Sequence, residues 1–228
     1  IELLLTLGEI LVNVGLVYEP FNSDFGPLNL ATTHKFIREL CRVLADERYK
    51  DVKLFHYTSN LFDSKPTQPT SWGLHGRDSA LTAEVAWEAF APYQAGFRPF
   101  RDASYGDCTY SCSIFHCLKG LEIAVGLGWY NFREFDNKEY EYYEKVENGD
   151  LNWIIPRKYI AFMGPVDKLA ERRGNSPEDY LQVFKHFGVT HVVRLNEAKY
   201  DRTKFTKAGI AHTDMFFIDG STPSDAIV

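Results

Sequence analysis

Residues 176–195 read SPEDYLQVFKHFGVTHVVRL, from Ser176 to Leu195. The stretch holds a helix start followed by a strand. Ser176 stands at the N-cap position, and Pro177 stands at the first helical position, where its missing N–H would be unpaired in any case. Residues 189–195 then read as a strand. Working outward, residues 159–162 (Tyr159-Ile160-Ala161-Phe162) and residues 212–218 read as strands too. Strands that alternate with helices predict a parallel sheet and an α/β domain.

The first half of the chain is less regular. Asp24-Phe25-Gly26-Pro27 is a turn, and residues 28–44 have the periodicity of an amphipathic helix. Residues 52–57 predict a short buried strand, residues 108–126 a second helix and residues 137–148 a third, which Gly149 stops. The character of the sequence changes near Asp150. Three parts are therefore expected: a domain over 1–135, a charged linker helix over 136–150 and a second domain over 151–228. Thr222-Pro223-Ser224-Asp225 reads as one more helix start, with only Ala226-Ile227-Val228 after it. A helix of one turn does not stand alone, so residues belonging to this fold are expected beyond Val228.

Of the 228 residues, 45% are hydrophobic and 25% charged, a composition that predicts a packed core. No apolar run reaches the ~18–20 residues of a membrane span, so no membrane partner is expected. Residues 1–17 carry Glu2 and Glu9 and lack a basic flank, which makes them a poor signal peptide. A net charge of −6 argues against nucleic acid, whose phosphates require a basic stripe. Cys108, Cys112 and Cys117 crowd around His116, while Cys41 stands apart. That cluster could be a metal site, but it has no C-x-x-C pair. Ile114, Phe115, Leu118, Leu121 and Val125 recur with helical period, so buried thiols on a helix are the better reading. No metal or cofactor is expected, and reduced thiols without a secretion signal predict a protein inside the cell.

Nucleotide-binding, zinc-protease and serine-hydrolase motifs are absent. His116-Cys117 looks like the start of the phosphatase loop H-C-x-x-G-x-x-R. Ile123, however, occupies the place of the arginine that would grip phosphoryl oxygens bidentately. The pair reads as a decoy.

Several longer runs carry a resemblance. They are Val17-Tyr18-Glu19-Pro20-Phe21, Asp24-Phe25-Gly26-Pro27-Leu28-Asn29-Leu30, Pro99-Phe100-Arg101-Asp102-Ala103-Ser104-Tyr105-Gly106 and the run from Glu147 to Pro156. Val192-Val193-Arg194-Leu195-Asn196 and Phe216-Phe217-Ile218-Asp219-Gly220-Ser221-Thr222-Pro223 complete the set. In this order they resemble the cell-division-cycle-fourteen dual-specificity protein phosphatases. The resemblance implies two tandem cysteine-phosphatase-like α/β domains joined by a linker helix. The first is inert, in keeping with His56-Tyr57-Thr58-Ser59, which has no cysteine. The second carries the catalytic loop and is expected to be incomplete, the chain stopping before its cysteine.

The resemblance further implies that Asp219 is the general acid, although an Asp-Gly after a strand is by itself an ordinary turn. It implies an acidic groove that selects basic residues after a phospho-Ser-Pro site, with Glu141, Glu144 and Asp102 as substrate-binding residues. Glu139, Glu141, Glu144 and Glu147 against Lys138 and Lys145 would otherwise be a solvated helix face. Partners would be phosphoproteins with Ser-Pro sites and nearby basic residues, located in nucleus and cytoplasm. A non-catalytic phosphoprotein-binding module is the alternative.

One stretch departs from the family. Residues 65–79, KPTQPTSWGLHGRDS, are polar and proline-rich where the family has an apolar helix. Allowed codons from Pro66 onward, read one base later, can encode RRNRLLGVFMVVIL, which resembles that helix. A shifted frame or mispredicted gene segment is the expectation there, and residues 1–13 depart in a similar way.

Overall fold

A computed structural model describes residues 2–5, 10–13, 18, 20–50, 54–57, 82–88, 90–103, 107, 108, 110–167, 174–219 and 221–228. The expectation about residues 65–79 lies outside them. The chain divides into two units, Ile1–Asn137 and Lys138–Val228. Both mix helices with small sheets.

In the first unit, β1 (Glu2–Leu5) pairs antiparallel with β2 (Ile10–Asn13) and with β3 (Leu54–Tyr57), in the order β2-β1-β3. Helix α1 (Leu30–Leu44) starts where the Asn29 side chain accepts the Thr32 N–H at 2.8 Å. Its buried residues Ala31, His34, Ile37 and Leu40 recur every third position, and Thr33, Phe36 and Val43 widen the stripe, so one face is dry. Helix α2 (Ala83–Glu88) packs with α3 (Ile114–Gly126) around Ala83, Ala86, Phe100, Ile114 and Leu118. Helix α3 begins later than its apolar pattern predicts. Cys112 is instead bridged to Phe100, whose N–H donates to the Cys112 carbonyl at 2.7 Å, and Ser113 takes the N-cap. The extended pairing consumes the residues that would have been the helix's first turn.

The second unit opens on α4 (Asn137–Tyr143), of which Asn137 belongs to the first. The helix expected to reach Asn148 ends at Tyr143, and a 3-10 turn follows at Val146–Asn148. Contacts with residues later in the chain account for the break. Tyr143 packs edge-on against Phe187, ring centroids 5.0 Å apart, and the Asn175 side chain donates to the Val146 carbonyl at 2.7 Å. Tertiary contacts of this kind outweigh a few tenths of a kcal/mol of helix propensity per residue. Gly149, at φ 121°, then turns the chain into β4 (Leu151–Ile155).

Strand directions follow from connection lengths. Strand β4 is joined to β5 (Tyr159–Phe162) by three residues, too few for a crossover, and the pair is antiparallel. This corrects the expectation of a parallel sheet where β5 is concerned. Strand β6 (His191–Arg194) reaches β7 (Ala211–Asp214) through α6 (Thr203–Lys207), and this pair is parallel. Helix α5 (Pro177–Phe187) lies between the two pairs in sequence. The Asp179 carboxylate accepts both the Ser176 N–H, at 2.8 Å, and the Ser176 hydroxyl, at 2.7 Å, which fixes the helix start. Gly188 ends it at φ 68°.

Tyr180 and Phe184 on α5 join Leu151, Val192, Tyr200, Phe205 and Ile210 in the core of this unit. Each large side chain fully buried contributes roughly 1.5–3 kcal/mol. The Tyr180 hydroxyl is satisfied by the Gly149 carbonyl at 2.8 Å, and burial pushes its pKa up to about 12.

Candidate active site

The carboxyl ends of adjacent parallel strands are where α/β sheets place ligands. Here those ends carry Arg194 on β6 and Asp214 on β7. Arg194 is only 9% exposed in its side chain. Its Nε donates to Asp214 Oδ1 at 2.7 Å, and its Nη1 donates to the Tyr200 carbonyl at 2.9 Å. Its guanidinium lies over the Tyr200 ring, 4.6 Å from the centroid. The Tyr200 hydroxyl is hydrogen-bonded to His212 Nε2 at 2.7 Å. The Arg194 hydrogen bond holds the Asp214 carboxyl below the usual carboxylate range, and burial pushes the Tyr200 phenol up to about 12.

This ring of side chains launches the segment that carries Asp219. The Met215 N–H donates to the Arg194 carbonyl at 2.9 Å, and the Phe217 N–H donates to the Leu195 carbonyl at 3.2 Å. The chain thus runs on beside β6 past the end of β7. Asp219 follows in a turn and is exposed. Val193, Leu195, Phe216 and Ile218 are exposed as well, Ile218 by 70%. Residues 225–227 form a single turn, with the Ile227 N–H donating to the Ser224 carbonyl at 2.8 Å.

Glu141 lies in α4, and Glu144 follows directly after it. Both are half-buried, and a spacing of three puts them on one side of that segment. Asp102 is exposed and belongs to the first unit, next to the bridge between Phe25 and Arg101. A cleft of about 370 Å³ in the second unit is lined by Tyr142, Tyr143, Glu147, Asn175, Tyr180 and His186 among others. Its walls include neither Glu141 and Glu144 nor Asp219.

His116-Cys117 is in helix α3. His116 is spent on the cap, its Nδ1 accepting the Ser113 N–H at 3.1 Å while its own N–H reaches Ser113 Oγ at 3.3 Å. Burial, with Cys112 beside it, pushes the Cys117 thiol up to about 12. A nucleophile needs the opposite shift. Among the described residues no group of three or more His, Cys, Asp or Glu is placed to hold a metal ion. No described helix is long and apolar enough to cross a membrane.

A family model described as dual specificity protein phosphatase, N-terminal half, matches residues 8–124. The mouse dual specificity protein phosphatase CDC14A is 42% identical over 220 residues, which cover 93% of this chain and 36% of that protein. The chain belongs to the CDC14 family of dual specificity phosphatases. Human CDC14A is 43% identical over 220 residues, covering 93% of the chain and 37% of the relative. The tyrosine-protein phosphatase cdc-14 of Caenorhabditis elegans is 39% identical over 227 residues, or 95% of the chain and 32% of the relative. The chain thus spans about a third of the length of these CDC14 proteins.

Sequence reading assigned no role to Asp214, His212 or Tyr200. Arg194 stood in a quoted run without a function. The available signal was an arginine late in one apolar strand and an aspartate inside the strand read over residues 212–218. What it lacked was the parallel register, which places Arg194 opposite Asp214.

Proposed function

We propose that this chain is the front part of a dual specificity phosphatase that acts on phospho-Ser-Pro and phospho-Tyr sites of cell-cycle phosphoproteins, in nucleus and cytoplasm. It comprises an inert phosphatase-like domain over 1–135, a linker over 136–150 and the beginning of the catalytic domain over 151–228. Membership of the CDC14 family carries the reading, and the division of the chain into two units supports it. Residues six positions after the four cysteines are Glu47, Ile114, Leu118 and Ile123, so none completes the C-x-x-G-x-x-R loop. The nucleophile of this reaction is therefore not among the 228 residues, and alone they are inactive.

In the proposed reaction a cysteine thiolate attacks phosphorus and forms a phosphocysteine that water later hydrolyses. Asp219 donates a proton to the departing alkoxide or phenolate, a contribution of ~100 to 10,000-fold. Its exposed turn beyond the end of β7 leaves the carboxyl reachable by a phosphate ester. Glu141, Glu144 and Asp102 attract a basic residue of the substrate.

A chimera tests this reading. Residues 1–228 replace the matching segment of human CDC14A, and turnover is measured on phospho-Ser-Pro peptides with and without a following lysine or arginine. Turnover with preference for the basic peptides is expected. Absence of turnover in a folded chimera contradicts the phosphatase reading, and equal rates on the two peptides contradict the acidic groove.

A further inference from the structure

The start of helix α3 holds two thiols in contact. Cys112 precedes the N-cap Ser113, and Cys117 is the fourth residue of the helix. These are the two positions that a hydrophobic staple brings together across a helix entrance. Here the reciprocal hydrogen bonds of Ser113 and His116 fix the same entrance. The Cys112 and Cys117 sulfurs are 3.9 Å apart, and both residues are half-buried, within reach of a small reagent. From the other side, the Phe100 N–H bonded to the Cys112 carbonyl holds the Cys112 backbone in place.

We infer that Cys112 and Cys117 form a reversible modification site, closing to an intramolecular disulfide with a small-molecule disulfide such as oxidised glutathione. The Cys112 thiolate attacks one sulfur of the reagent, and the first glutathione leaves as a thiol carrying the Cys112 proton. Cys117 then attacks the Cys112 sulfur of the mixed disulfide, and the second glutathione leaves with the Cys117 proton. Two protein thiols are oxidised and one reagent disulfide is reduced, so atoms and electrons balance. The order follows from surroundings. Burial makes Cys117 the poorer first attacker, whereas once Cys112 carries the mixed disulfide its sulfur is already beside Cys117. The sulfurs must close from 3.9 Å to about 2.05 Å. Side-chain rotation about an entrance that hydrogen bonds already fix supplies this movement. The bond would tie the start of α3 to its own approach, which through Phe100 and Arg101 continues to Asp102.

Trypsin releases all three neighbouring thiols in one peptide, residues 102–119, because Arg101 and Lys119 are its flanking sites. The reduced 228-residue chain is equilibrated in glutathione buffers of graded oxidation, remaining thiols are alkylated and the peptide is weighed. We expect a species about 2 Da lighter than the dithiol form, since two hydrogens are lost, with a single alkyl group on Cys108. Chymotryptic cleavage after Phe115 should leave its two fragments joined until reductant is added. Cys112→Ser and, separately, Cys117→Ser should each abolish this species while the far-ultraviolet circular dichroism stays unchanged. Stable glutathione adducts without internal closure would overturn the inference, as would pairing of Cys108 with either thiol.

Discussion

His34 shows how one residue ties an element to its surroundings. It is 2% exposed on α1, its Nδ1 is 2.8 Å from the Tyr130 hydroxyl, and its ring lies 4.5 Å from Phe132 and 5.1 Å from Phe135. Burial and the nearby Arg38 lower its pKa below the ordinary histidine value. In the unfolded chain the imidazole titrates near 6.5, at about its unperturbed value. Above that pH both states are neutral and the contribution is complete. As pH falls through 6.5 only the unfolded state binds the proton, and stability is lost at up to about 1.4 kcal/mol per pH unit. Urea unfolding between pH 8 and pH 5 should show this loss, and His34→Gln should flatten it. An unchanged slope in the variant would place the titration elsewhere, for example at His212, whose pKa is lowered in the same direction.

Gly149 makes a second case at this scale. A Cβ there would stand 2.9 Å from Leu151 Cδ2 and 3.3 Å from Tyr180 Cε1, on backbone at φ 121°. Gly149→Ala should therefore lower stability by about 1–3 kcal/mol, the usual cost of a side chain held in such a conformation. Denaturant titration measures it. A loss under about 0.5 kcal/mol, the scale of an ordinary surface substitution, would mean that the turn relaxes freely.

Elements differed in how far they could be read from sequence. Helix α5 was legible because its signals are local: Ser176, Pro177 and Asp179 act within four residues. Strand β5 was legible for the same reason, as a short apolar run. The end of α4 was not, because Phe187 and Asn175, which break it, lie far along the chain. Strand β4 was not read at all, and β5 was misread as part of a parallel sheet, since alternation of elements says nothing about a three-residue turn. The candidate site was legible only through the longer family runs. Asp219 before Gly220 is an ordinary turn pair in isolation, and the contact between Arg194 and Asp214 joins residues 20 apart.

One prediction belongs to α4 and the residue that follows it. If Glu141 and Glu144 act as a field on a basic substrate, Glu141→Lys in the chimera should raise KM for basic phosphopeptides and leave kcat nearly unchanged. The increase should shrink in 0.5 M salt, where the screening length falls to roughly 4 Å. An equal effect on basic and neutral peptides, or one insensitive to salt, would remove Glu141 from substrate recognition.

At the scale of the whole molecule, the proposed reaction divides between a proton that Asp219 would supply and a nucleophile that these 228 residues do not provide. The 228 residues carry Asp219 and the Arg194–Asp214 pair that launches its segment. Their four cysteines lack the phosphate-gripping arginine. The isolated chain should therefore show no turnover of phosphotyrosine, and the rate with each cysteine replaced by serine should stay at the same background. The most direct test of the central claim is the leaving-group dependence of Asp219→Asn in the chimera with human CDC14A. Phosphate esters of alcohols and phenols of graded acidity are compared under conditions where phosphoryl transfer to the enzyme limits the rate. Loss of a general acid should slow esters with poor leaving groups by ~100-fold or more and those with good leaving groups far less. Equal rates for Asp219→Asn and the unaltered chimera on the poorest leaving group would contradict the assignment of Asp219 as the general acid.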